Sequence, residues 1–159
     1  LADALAAIHE RAGAPVPEFG WRVVVGIPRA TAFAAVRRAI LVDLLIGGDN
    51  DDFIDGQQGN DVALMGAGND VFQWDPGDGS DVVEGQAGTD RMLFNGSAGN
   101  EVFNTSANGS RVLFTRNLGN IVMDLGGVET IDLNTLGGTD TTTINDTTGT
   151  DLVTLNVEL

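Results

Sequence analysis

The chain has 159 residues, with 23 acids against eight arginines, no lysine and a formal charge of −15. At ~100–200 residues per domain this is one domain, or one with a short appendage. There is no cysteine, and His9 is the one histidine. A disulfide framework, a thiolate nucleophile, a zinc–cysteine site and a multi-histidine metal site are therefore excluded.

A chain this acidic repels phosphate and anionic headgroups, so neither nucleic-acid binding nor membrane-surface association is expected. No apolar run approaches the ~18 residues that a membrane-spanning helix needs, so no membrane insertion is expected either. The first residues show no basic stretch leading into an apolar one, so no signal peptide is expected within them. The sequence begins at Leu1, which predicts a piece of a longer protein or a processed form.

The composition changes near residue 40. Residues 1–40 hold 11 alanines and five arginines against three acids, a charge of +2, whereas residues 41–159 hold three arginines against 20 acids, a charge of −17. Nineteen of the 22 glycines also lie in the second part. The pattern predicts an N-terminal segment over 1–40, mixed or helical, that is a cap or the remnant of an upstream domain. Within it, Leu1, Leu5 and Ile8 recur at helical spacing, and Gly13 and Pro15 end that helix. A short strand is predicted over 21–25, and a second helix runs from Thr31 to Ala39. His9 has no identifiable partner group, so no catalytic site is expected.

A nine-residue repeat fills the middle. It reads GGDNDDFID from Gly47, GQQGNDVAL from Gly56 and MGAGNDVFQ from Met65; after Trp74 and Asp75 it resumes as PGDGSDVVE and GQAGTDRML. The sixth position is Asp52, Asp61, Asp70, Asp81 and Asp90, with Asp43 one repeat earlier in a degenerate turn. The fourth position is Asn50, Gly59, Gly68, Gly79 and Gly88, the residue types that tolerate positive φ. The eighth position is Ile54, Ala63, Phe72, Val83 and Met92, all apolar. Each unit thus predicts a tight turn, an Asp that closes it, and a short strand with one inward side chain. Stacked units would merge those side chains into a thin continuous core.

The pattern G-G-x-G-x-D-x-U-x, with U a large apolar residue, resembles the RTX or hemolysin-type calcium-binding repeat. The five units over 47–93 carry the resemblance. Asn50, Met65, Pro76 and Ala63 depart from the consensus. The resemblance implies an all-β, calcium-bound parallel β-roll (a solenoid) over 41–95, with a β-rich continuation or cap over 96–159. In that family, turns that share an ion are next-but-one in sequence. The implied pairs are Asp52/Asp70, Asp70/Asp90 and Asp61/Asp81, with Asp43/Asp61 as a fourth, for three or four calcium ions. Carbonyl ligands are implied from the turns: Gly47, Gly48, Asp49 and Asn50; Gly56, Gln57, Gln58 and Gly59; Gly66, Ala67 and Gly68; Gly77 and Gly79. Calcium takes six to eight oxygens at ~2.3–2.6 Å, more than one such turn supplies.

Other readings fit less well. An EF-hand counted from Asp49 places Phe53 at its third ligand, and one counted from Asp75 places Gly79 there. Trp74 and Phe72 are expected in the core rather than on a sugar-stacking surface. Asp124, Asp132, Asp140 and Asp151 are expected to cap turns, and Asp75 to be a turn residue or an extra ligand. Beyond residue 95, strands are predicted over 111–116, 120–125, 128–133, 141–145 and 152–157, separated by the turn signals SAGN, SANGS, NLGN and LGG.

The resemblance further implies a secreted or cell-surface bacterial module that folds on meeting extracellular calcium. Two alternatives stay open: a self-associating adhesin or filament element, or the non-catalytic tail of a secreted lipase or protease.

Overall fold

The computed structural model describes residues 43–159. The predicted helices and strand of residues 1–40 lie outside the described residues. What is described is all-β: twelve strands in two sheets, with a single 3-10 turn at Leu118–Asn120. No helix among these residues is long and apolar enough to cross a membrane.

The repeat units build the first six strands: β1 (Leu44–Gly48), β2 (Phe53–Asp55), β3 (Val62–Gly66), β4 (Val71–Trp74), β5 (Val82–Glu84) and β6 (Arg91–Ser97). They alternate between the sheets. Strands β1, β3 and β5 pair in parallel in one, and β2, β4 and β6 pair in parallel in the other. The alternation follows from the repeat. A turn after each short strand sends the chain across, and the next turn sends it back beside the strand two before.

Six more strands follow: β7 (Val102–Asn108), β8 (Arg111–Arg116), β9 (Ile121–Gly126), β10 (Thr130–Leu136), β11 (Thr141–Ile144) and β12 (Thr154–Glu158). Here the topology departs from simple alternation. Strands β7, β8 and β9 form an antiparallel meander inside the first sheet, whose order is β1-β3-β5-β9-β8-β7-β11. Strand β9 takes the place beside β5, and β11 pairs in parallel with β7. The second sheet remains parallel throughout, in the order β12-β10-β6-β4-β2. Strand β6 spans residue 95 and lies between β4 and β10, so the repeat stretch and the stretch after it share both sheets.

Strand β7 was not among the predicted strands. Its end, Ser106–Ala107–Asn108, belongs to the turn signal SANGS, yet the actual turn is only Gly109 and Ser110. Gly109 has φ 67°, the positive value that a two-residue hairpin places at its first central residue.

The core lies between the sheets. All five eighth-position residues are buried, from Ile54 at 6% exposed to Phe72 at 0%. The strands bury more than the one side chain expected. Met65, at a repeat's leading position, and Trp74, in the two-residue insertion, also face inward and are fully buried. Each extends its strand by two residues, which restores the inward face. Trp74 stacks on Phe94 with ring centroids 4.0 Å apart, and Phe94 meets Phe114 at 4.9 Å, so the insertion and the meander share one aromatic cluster. The Trp74 indole N–H donates to the Gly79 carbonyl at 2.8 Å, satisfying its one polar atom.

Candidate metal centre

The sixth-position carboxylates are gathered in two rows, one along each edge where the chain crosses between sheets. Along the row before β2, β4 and β6, the Asp52 N–H donates to Asp70 Oδ1 at 2.6 Å, and the Asp70 N–H donates to Asp90 Oδ1 at 2.9 Å. In the other row, the Asp43 N–H donates to Asp61 Oδ1 at 3.1 Å, and the Asp61 N–H donates to Asp81 Oδ1 at 2.8 Å. The four pairs anticipated from next-but-one turns are thus brought together. Their separation is 18 residues, or 20 where Trp74 and Asp75 intervene.

A second ladder runs beside each row in the opposite sense. The Asn69 N–H donates to Asp51 Oδ1 at 2.7 Å and the Thr89 N–H to Asn69 Oδ1 at 3.0 Å. Beside the other row, the Ser80 N–H donates to Asn60 Oδ1 at 2.9 Å. The fifth repeat position therefore fixes turn spacing, a role that its variable composition did not signal.

The turns stack at backbone contact. The Ala67 N–H donates to the Gly48 carbonyl at 2.7 Å, and the Ala87 N–H to the Gly66 carbonyl at 3.0 Å. A Cβ added to Gly88 would fall inside the Gly68 carbonyl oxygen, and one on Gly79 inside that of Gly59. Left-handed backbone occurs at the fourth position in Gly59, Gly68 and Gly88 but not in Asn50 or Gly79, and it occurs also at the second position: Gln57 (φ 57°), Gly66, Gly77 and Gln86 (φ 72°). Asp49, Asn50 and Gln58 are exposed, as is Ala67, while Gly47, Gly56, Gly66, Gly68 and Gly79 are half-buried.

The electrostatics of the rows are unfavourable as they stand. Asp61, Asp70, Asp81 and Asp90 are each at most 2% exposed. The second carboxylate oxygens of Asp61, Asp81 and Asp90 accept no hydrogen bond. Burial is the main cause that pushes the Asp81 and Asp90 carboxyls up to about 6, and the neighbouring carboxylates of Asp61 and Asp70 add to it, against the lowering effect of the N–H each accepts. Asp61 is raised by the same causes, burial first. A buried carboxylate oxygen without a donor carries an uncompensated desolvation cost.

The residues present fit a hard cation. The donor set is all oxygen, from carboxylates and turn carbonyls, which suits calcium or magnesium rather than a softer metal. A carbonyl that already accepts one N–H keeps a second lone pair. Among the described residues no group of three or more His, Cys, Asp or Glu side chains converges, so carbonyls would supply much of any coordination.

One turn differs. Residues GSAGNEVFN, starting at Gly96, fit the repeat with Glu101 in place of the Asp, 11 positions after Asp90. That is the same step as from Asp70 to Asp81, and this spacing is the signal that would have found it. The Glu101 N–H donates to Asp140 Oδ1 at 2.9 Å, the same kind of bond between the turns before β7 and β11, while β8 and β9 separate this pair from β5 and the row that ends at Asp81. Here a guanidinium meets the carboxylate: Arg116 donates to Glu101 Oε1 and to Ser97 Oγ, and lies 5.3 Å above the Trp74 ring. The Ser97 N–H occupies Glu101 Oε2 at 2.8 Å.

The remaining acids have other duties. Asp124 and Asp132 sit inside β9 and β10 rather than capping turns, and they pair with Arg111 at 2.7 Å and Arg91 at 3.1 Å. Asp75 is a turn residue that accepts from Gln73 and Asn95. Asp151 accepts the Gly127 N–H at 3.2 Å.

No protein-family model, curated protein or solved structure matches the chain.

Proposed function

We propose that this chain is a calcium-binding module of the RTX type, a parallel β-roll with a β-rich cap, which folds when it meets extracellular calcium. One observation carries the reading: buried carboxylates stack in rows at the spacing of next-but-one turns, with the outer oxygens of Asp61, Asp81 and Asp90 left without donors. A divalent cation between turns would satisfy those oxygens and neutralise the repulsion. The alternating strands β1 to β6 and their parallel pairing support the roll. Extracellular calcium modules bind at ~10⁻⁴–10⁻³ M, so such a module would stay metal-free inside a cell and load outside it. No catalytic role is assigned to any residue.

Native mass spectrometry of the full chain, stripped with chelator and reloaded, tests the proposal. Three or four calcium ions per chain are expected from the repeat. Asp70→Asn, which touches two pairs, is expected to remove two ions, and Asp52→Asn, which touches one, is expected to remove one. A chain that takes up no calcium overturns the reading.

Self-association is the second reading. The outermost strands leave apolar side chains exposed: Ile144 of β11 is 56% exposed, as is Phe53 of β2 at 47%. Sedimentation with and without calcium separates the two, since a calcium-dependent rise in mass is expected only for an assembling element.

A further inference from the structure

One turn outside the nonapeptide repeat completes the row that ends at Asp90. Glu84 pairs with Gly126 and Arg91 with Thr130, so the six residues between Glu84 and Arg91 face only three, Gly127, Val128 and Glu129. This shortened turn keeps the two chemical features of a full one. Gly127, at φ 60°, stands where a repeat has its leading residue, and Glu129 stands where it has its Asp. The Asp90 N–H donates to Glu129 Oε2 at 2.6 Å, the bond that each earlier Asp makes to the next. The longer side chain of Glu offsets the three missing residues.

We propose that Asp90, Glu129 and the carbonyl of Gly127 form a divalent-cation site beyond those of the repeat. It rests on the calcium reading above. Asp90 is fully buried, and its Oδ2 accepts no hydrogen bond. That oxygen faces Gly85: a Cβ there would stand 2.6 Å from Asp90 Oδ2 and would fall inside the Gly127 carbonyl oxygen. Both oxygens therefore border the space that only glycine at position 85 leaves. Asp151 steadies the same turn by accepting the Gly127 N–H.

No guanidinium among the described residues neutralises this pair. Arg91 is engaged with Asp132, Arg111 with Glu84 and Asp124, and Arg116 with Glu101. At Glu101 an arginine meets the buried carboxylate, whereas no arginine among the described residues meets Asp90 and Glu129, and a cation from solution would take that place. Two carboxylates with carbonyl oxygen select a hard ion such as calcium.

Glu129→Gln in the full chain is the test, because its amide oxygen still accepts the Asp90 N–H while the charge is gone. Calcium is counted by native mass spectrometry at saturation, with circular dichroism confirming the same fold. The variant is expected to hold one ion fewer than the unmodified chain. An equal count overturns the site while leaving the repeat's sites standing, whereas no calcium on either chain overturns the underlying reading and the site with it. Glu129→Asp covers the case in which the neutral variant does not fold. It keeps the charge and withdraws the carboxylate by one methylene, so the last ion is expected to bind about tenfold more weakly. Unchanged affinities for every ion in that variant overturn the assignment.

Discussion

The backbone N–H of Asp61 donates to Oδ1 of Asp81 across 2.8 Å, although 20 residues separate them. Both side chains are buried, and the other oxygen of each is left without a donor. The bond sets the spacing between turns, and the unsatisfied oxygens make the metal-free fold costly. The two effects act on the same atoms, so folding and cation binding are expected to be one event.

The carboxyls predict an inverted pH dependence for the metal-free protein. Asp81 and Asp90 titrate at about 6 in the folded chain, against 3.8 when unperturbed. The folded state holds these protons more tightly than the unfolded one. Their contribution is therefore fully present below the unfolded value and is lost as pH rises through about 6. Far-UV circular dichroism in chelator is expected to show more β structure at about pH 5 than at about pH 7.5, where the metal-free chain is coil. With calcium bound the order reverses, because protons compete with the ion. A metal-free chain that gains β structure as pH rises contradicts the account.

The ion pair of Arg116 with Glu101 is expected to act as a built-in cation. Arg116→Met leaves Glu101 buried and unpaired, and is predicted to cost about 3–5 kcal/mol in denaturant unfolding of the calcium-loaded chain. Removing the carboxylate as well, in Arg116→Met/Glu101→Gln, is predicted to recover most of that loss. Calcium count stays the same in both variants. A single variant as stable as the parent would show that the pair contributes little.

Backbone stacking gives a third prediction. At Gly88 a methyl group has no room against the Gly68 carbonyl, and its φ of 143° suits only glycine. Gly88→Ala is expected to destabilise the loaded fold by at least ~3 kcal/mol and to raise the calcium midpoint. Gly137 is the control: its nearest neighbour to an added Cβ is the Ala98 Cα at an ordinary 3.8 Å. Gly137→Ala is expected to change stability by no more than ~0.5 kcal/mol. Equal behaviour of the two variants would remove close turn stacking as the constraint.

Much of this was legible in the residues and part of it was not. The register of Asp52 to Asp90 and the inward Ile54, Ala63, Phe72, Val83 and Met92 follow from a period of nine, because each unit repeats one local solution. The strand over 111–116 coincides with β8 (Arg111–Arg116), and β11 and β12 fall within two residues of their predicted starts. The β7–β8–β9 meander was not legible. It interrupts the repeat with non-local pairing, and Ser106 to Asn108 read as a turn although they pair with β8. Glu101 was hidden by one methylene, since a search for Asp passes over a Glu in an otherwise regular unit. Glu129 had no repeat around it at all, and only its bond to the Asp90 N–H, 39 residues away, brings it to the row.

Calcium titration of chelator-treated protein, followed by far-UV circular dichroism with magnesium as the control, tests the central claim most directly. The account predicts a coil-to-β transition at sub-millimolar to millimolar calcium that magnesium does not produce. A β spectrum already complete in chelator and unmoved by calcium would contradict it.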